Sequence, residues 1–229
     1  MNITHSKQTE VATSPKILIL SGGWEGHYPH EFSAMLREDL IQAGCEVTLT
    51  TDLSVLDATD HLAGYDLIVP NWTKGKLEDA QVKILMDTIG NGCGLGGFHG
   101  GMGDAFRGCT VYEWICGGHF VGHPHVGNYE VSITREGRDH PVTQALAPGF
   151  SWESEQYYML VDPGIQVLAD SRYSFDGYTC DMPVVWVKKW GKGKVFYSAL
   201  GHAPKEFERM PQVREMTVRG LLWAVRDSF

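Results

Sequence analysis

The stretch YDLIVPNWTKGKLEDAQVKILMDTIGNGCGLGGFHGG (Tyr65–Gly101) contains one strand–helix–strand unit from which the architecture can be read. Tyr65–Pro70 is a short apolar run, which reads as a buried strand. Leu77, Ala80, Ile84, Leu85 and Ile89 then recur at helical spacing, and Gly90-Asn91-Gly92 closes that helix. Gly94-Leu95-Gly96-Gly97-Phe98 is a weak strand by propensity, because glycine disfavours strands. Its place after a strand and a helix argues for a strand all the same. Alternation of this kind implies a parallel sheet with helices on both faces.

The pattern extends in both directions. Upstream, Lys16–Leu20 (KILIL) is a strand that stops at Ser21-Gly22-Gly23. Phe32, Met35, Leu36 and Leu40 mark a helix ending at Gly44, and Cys45–Thr50 (CEVTLT) is a second strand. With right-handed crossovers the order specifies a doubly wound α/β sheet. Downstream, strands dominate: NYEVSIT (128–134), IQVLAD (165–170), PVVWVKKW (183–190) and KVFYSAL (194–200). Trp190–Lys194 reads as a hairpin turn, and residues 211–227 as a closing helix. There is no internal repeat or domain linker, so residues 16–229 are expected to form one domain behind a polar tail at 1–15.

Composition narrows the partners. The formal net charge of −9 comes without a basic run, which argues against nucleic acid and anionic membranes as partners. No apolar run is long enough to span a bilayer, and the first residues lack the apolar centre of a secretory signal. Five cysteines (45, 93, 109, 116 and 180) form no CxxC pair, which fits free thiols in a reducing cytoplasm. A homo-oligomer is the ordinary expectation for such a chain.

Open parallel sheets bind ligands beyond the carboxyl ends of their strands. After the first strand comes SGGWEGHYPH, with Trp24, Glu25, His27 and His30. After the third come Asn71 and Trp72. After the fourth comes His99, flanked by Gly97, Gly100 and Gly101, and after KVFYSAL comes His202. Three strand ends thus offer a histidine each, and convergence of distant histidines is a stronger signal than any one of them.

The segments GGFHGG, YEWICGGHFVGHP, HPVTQAL, SEQYYML and WGKGKVFYSALGH, in this order and spacing, resemble the trehalose-utilisation (ThuA-like) family from Lys16 to the final helix. The resemblance implies a three-layer, flavodoxin-like sheet related to class I glutamine amidotransferases, mostly parallel, with extra strands in the second half. In that superfamily a nucleophile stands on a sharp strand-to-helix elbow between small residues. Here His99 takes that place. A glutaminase needs a thiolate there and a His–Glu pair downstream. His202 is followed by Ala203-Pro204 instead, so amidotransferase activity is not expected.

The resemblance also singles out His123 of the Phe-x-x-His-Pro motif and Glu155 before the aromatic pair Tyr157-Tyr158. His123 is placed in a glycine-rich loop able to fold over the sheet edge, and Glu155 at a strand start. The function implied is use of trehalose or a related disaccharide, on an oxidised (keto) sugar. In that reading His99, His202 and His123 handle protons and Glu155 orients or polarises. Glu25, His27, Asn71, Gly100 and Gly101 contact substrate, and Trp24, Trp72 and Tyr157 stack on a ring or simply pack. No cofactor is specified. Ligation of a divalent metal such as zinc by His27, His99, His123 and His202 stands beside a hydrogen-bonding sugar site as the second use of the same residues. For the function as a whole, a non-catalytic sugar-binding or regulatory protein is the second reading, and a metal-dependent hydrolase using the histidine cluster is the third.

Overall fold

The computed structural model describes residues 14–227. Apart from Ser14 and Pro15, the polar tail expected at 1–15 lies outside the described residues. The first half alternates as expected. β1 (Lys16–Gly23) leads through a turn at Glu25–His27 into α1 (Pro29–Gln42), then β2 (Glu46–Thr50), α2 (Thr59–Ala63), β3 (Leu67–Thr73), α3 (Asp79–Gly90) and β4 (Gly94–Phe98). Pro29 pre-sets the first turn of α1, and Glu78 with Gln81 forms a reciprocal capping box at α3. Gly44, at φ +89°, turns the chain out of α1 into β2. β1 and β3 are buried almost throughout, as strands covered on both faces must be.

The short α4 (His99–Gly103) and α5 (Thr110–Cys116) precede β5 (Gly118–Ile133), α6 (Arg135–Arg138), β6 (Gly149–Val161), β7 (Gln166–Phe175), β8 (Tyr178–Trp190) and β9 (Gly193–Ser198). α7 (Pro204–Arg209) and α8 (Pro211–Ala224) close the chain. α8 carries Val213, Met216, Leu221 and Ala224 into the core, against β4 and β9, and also touches α1.

Among the described residues the strands form one sheet in the order β2-β1-β3-β4-β9-β8-β7-β5-β6. The pairings from β2 to β9 are parallel, and those from β9 to β6 are antiparallel. The sheet is therefore mixed rather than mostly parallel. The reason is local. β7, β8 and β9 are joined in turn by hairpins, such as that at Gly191-Lys192, which reverse the chain instead of carrying it over the sheet.

Two boundaries differ from expectation, and both matter for the site. The glycine-rich segment 118–127 is strand, not loop. It pairs with β6 and absorbs its irregularity as register shifts around Gly122. Gly149–Val161 is one long strand, so Glu155 sits in mid-strand and not at a strand start. β6 ends the sheet, with four strands between it and β4. Even so, the antiparallel extension curls back until β6 touches β8 and β5 touches α4. That curl brings the sheet's far edge over the carboxyl ends of its parallel strands.

Candidate functional site

The site is built around the turn from β4 to α4. His99 opens α4 with φ +44°, a left-handed conformation that a histidine rarely adopts. The turn throws its side chain beyond the strand end, where it is 2% exposed. Small neighbours make this possible. A β-carbon on Gly100 would collide with the His27 ring, and one on Gly101 with Asn71.

Three strand ends and one strand middle meet here. His27 follows β1 and is buried, and its Nδ1 shares a hydrogen bond of 2.8 Å with Thr73 Oγ1 at the end of β3. His99 Nδ1 pairs with the Tyr157 hydroxyl of β6 at 2.9 Å. His202 follows β9, and its backbone N–H donates to Glu206 of α7 at 2.8 Å. Glu155 reaches down from β6. Its Oε2 lies 3.5 Å from His99 Nε2 and 3.4 Å from His202 Nδ1, and its Oε1 lies 3.4 Å from His123 Nε2.

One ligand atom from each of His27, His99, Glu155 and His202 lies within 4.8 Å of the others. His99 Nε2, Glu155 Oε2 and His202 Nδ1 are buried and make no regular hydrogen bond; they face one another across ion-pair distances. Such atoms are costly to leave unsatisfied, about 1–3 kcal/mol each.

The burial sets the protonation states. Desolvation pushes His27 down to about 4, helped by the positive charge of His202 and opposed by Glu155. Desolvation also pushes His99 well below the usual histidine value, with His27, His202 and His123 adding to the effect. His202 moves the other way, because the Glu155 carboxylate outweighs its burial. Burial opposes ionisation of Glu155, but the surrounding imidazoles, His202 first, win and hold it below the ordinary value. At neutral pH the centre therefore contains a carboxylate and neutral buried imidazoles at His27 and His99.

The cluster opens onto a cavity of about 160 Å³, walled by Trp24, Phe120, His123 and Tyr157, with Lys74 and Arg107 also lining it. Trp24 meets His27 edge-on, and Lys74 Nζ lies 5.0 Å from the Trp24 ring centre. Arg107 is held by a bidentate pair with buried Asp104.

Of the residues singled out from sequence, His27, His99, His123, Glu155, Tyr157, His202, Trp24, Gly100 and Gly101 come together. Three do not. Glu25 is exposed beside His30, 3.6 Å away. Asn71 is buried and spends its amide on the Pro29 carbonyl (2.8 Å) and Ser33 Oγ (2.9 Å), which ties α1 to β3. Trp72 packs over Gly22 and Gly75 instead of lining the cavity. Of the metal-ligand candidates, His123 meets only the outer oxygen of Glu155, and Glu155 itself completes the converging set. His119 and His125 stand apart, beside Glu113 and the Asn128 carbonyl.

Sequence reasoning missed Thr73 and Glu206, which hold His27 and the His202 backbone. Thr73 had a signal, since it ends the strand whose Asn71 and Trp72 drew attention. Glu206 lies four residues past His202, at the start of a helix too short to read by periodicity.

A mixed α/β sheet with a histidine at the β4 elbow and a His/Glu centre at the strand ends defines the class of protein. The trehalose-utilisation (ThuA) family model matches residues 16–224, and the chain belongs to that family. No curated protein matches it. Similar solved structures include a protein from Bacteroides uniformis described as ThuA-like, with 20% identity over 93% of each chain and a TM-score of 0.74. Another ThuA-like protein, from Parabacteroides merdae, has 18% identity over 95% of this chain and 93% of its own, with a TM-score of 0.73. A cytoplasmic protein from Salmonella typhimurium has 17% identity over 93% of this chain and all of its own, with a TM-score of 0.67. At these identities the likeness is one of fold. Among the described residues no helix is long and apolar enough to cross a membrane.

Proposed function

We propose that this chain is an enzyme of sugar utilisation that removes a proton beside the carbonyl of an oxidised (keto) sugar, leading to isomerisation or bond cleavage. One observation carries the reading. A buried, polar His–Glu floor lies under a cavity with aromatic walls and room for a single sugar ring. The family's link to trehalose supports the substrate class. The strand order β2-β1-β3-β4 with β9 alongside supports the flavodoxin-like, amidotransferase-related layering, whose ligands sit at the strand ends where this cluster lies.

The roles follow from burial. His27 and His99 are neutral and enclosed, with one nitrogen each already engaged, so they are poor proton acceptors. With Glu155 they form the floor, and His202, whose hold on its proton the Glu155 carboxylate strengthens, is the group that meets the substrate oxygen as negative charge develops on it. His123 stands at the cavity wall, more exposed, with Glu155 steadying one nitrogen. It is the group placed to take and return the proton. Trp24 offers its face to the ring. A glutaminase reading finds no support: the elbow carries imidazole, and Cys93 lies just before the far end of β4, where burial pushes its thiol up to about 12.

The test is a substrate panel followed by NMR: trehalose, its keto derivative, related keto-disaccharides and keto-hexoses. Turnover of a keto sugar, with the parent sugar left untouched, is expected. Binding without turnover across the panel would leave the non-catalytic reading standing and sink this one.

A further inference from the structure

We propose that His27, His99, Glu155 and His202 together bind one divalent first-row metal ion, with its open coordination face toward the cavity. Three atoms of the cluster lack partners. His99 Nε2, Glu155 Oε2 and His202 Nδ1 are buried, point at one another, and form no regular hydrogen bonds. His99, at 2% exposure, has no access to water that would substitute for a partner.

Spacing supports an ion at their centre. Metal bonds of about 2.0–2.1 Å in a tetrahedral arrangement put ligand atoms about 3.3–3.4 Å apart. Glu155 Oε2 lies 3.5 Å from His99 Nε2 and 3.4 Å from His202 Nδ1. The longest separation within the foursome is no more than 4.8 Å, which a modest side-chain shift closes.

The outer atoms are arranged as metal-bound histidines require. A ligating imidazole commonly donates its other N–H to a fixed acceptor, which sets the tautomer and the ring orientation. His27 Nδ1 has Thr73 Oγ1 at 2.8 Å, and His99 Nδ1 has the Tyr157 hydroxyl at 2.9 Å. Each hydroxyl is able to accept that hydrogen and leave Nε2 facing inward. Glu155 keeps its second oxygen for His123, which favours a single oxygen on the ion. Three imidazoles and one carboxylate suit manganese, iron, cobalt, nickel or zinc, and not the oxygen-seeking magnesium or calcium.

Catalytic use of this ion, as the charge that holds the substrate oxygen, rests on the function proposed above. Binding of the ion does not, so the test reads binding alone. Protein stripped with a chelator is titrated with Co²⁺ and with Mn²⁺, followed by calorimetry, elemental analysis and, for Co²⁺, visible absorption. One ion per chain is expected. His99→Gln and Glu155→Gln should weaken binding at least ~100-fold, and Thr73→Ala or Tyr157→Phe, which leave every ligand in place, by about 10-fold. His125→Gln should change nothing. Circular dichroism establishes that each variant is folded, and the Thr73 and Tyr157 variants keep the test open where a ligand variant is not. Absence of stoichiometric binding of either ion, or affinity unchanged across the cluster variants, overturns the proposal.

Discussion

His99 Nε2 and Glu155 Oε2 stand 3.5 Å apart, although their strands are separated in the sheet by β9, β8, β7 and β5. The curl of the antiparallel extension makes this pair. The same curl brings His123 and Tyr157 to the site, so half of the centre depends on how the second half of the chain closes over the first.

Replacing Glu155 therefore tests more than a charge. Glu155→Gln keeps the shape but removes the carboxylate facing His99, His123 and His202. Turnover should fall by ~10²–10³, because His202 loses the carboxylate that helps it keep its proton and His123 loses its partner. Steady-state kinetics on a keto-sugar substrate checks this, with kcat expected to carry most of the loss. His123→Ala should lower kcat by about 10²–10⁴ through loss of the general base, with little change in stability.

Gly100→Ala tests the close approach under the elbow. The added methyl meets the His27 ring, so either His27 moves or the elbow does. A loss of about 1–3 kcal/mol is expected, as for other overpacked sites. Chemical denaturation measures it, and activity should fall with it.

Asn71→Ala separates structure from substrate contact. The buried Asn71 amide holds the Pro29 carbonyl and Ser33. Its loss should cost about 1–3 kcal/mol of stability while leaving KM within about twofold. A large rise in KM with unchanged stability would return Asn71 to the substrate site.

Acid sensitivity of the chelator-treated protein should trace to the buried imidazoles. In the unfolded chain His27 takes up its proton near 6.5, whereas in the fold it does so only near 4. Between those values the unfolded state binds more protons, so stability falls as pH drops from 6.5 toward 4. His99 acts in the same direction. His202 opposes it: its raised value contributes stability below 6.5 that is lost as pH climbs through the folded value. The depressed Glu155 contributes stability above 4.5 that is lost on acidification through its lower folded value. His27→Gln should therefore flatten the decline between 6.5 and 4 in melting curves recorded across that range. An unchanged slope would contradict the assignment.

Much of the first half was legible from periodicity and order. Leu67–Val69 and Leu95 read as buried strands, and His27, His99 and His202 followed strands whose carboxyl ends must share one edge. The second half was harder. β5 contains Gly118, Gly122, Pro124 and Gly127, which read as loop because local propensity says nothing of a partner strand. Pairing with β6 overrides it. The mid-strand position of Glu155 depends on that same partner. Asn71 and Trp72 follow a strand as the histidines do, yet Asn71 turns to α1 and Trp72 to flanking glycines. Position along the chain names the sheet edge and not the side of the strand.

The proposed function rests on proton transfer beside a carbonyl over the His–Glu floor. It is tested most directly by incubating the protein with a keto-disaccharide in D₂O and following the carbon next to the carbonyl by NMR. With the native protein that carbon should lose its hydrogen, exchanging it for deuterium or shedding it on cleavage, and with His123→Ala it should not. Conversion in which that carbon keeps its original hydrogen, or equal exchange by the native and His123→Ala proteins, would overturn it.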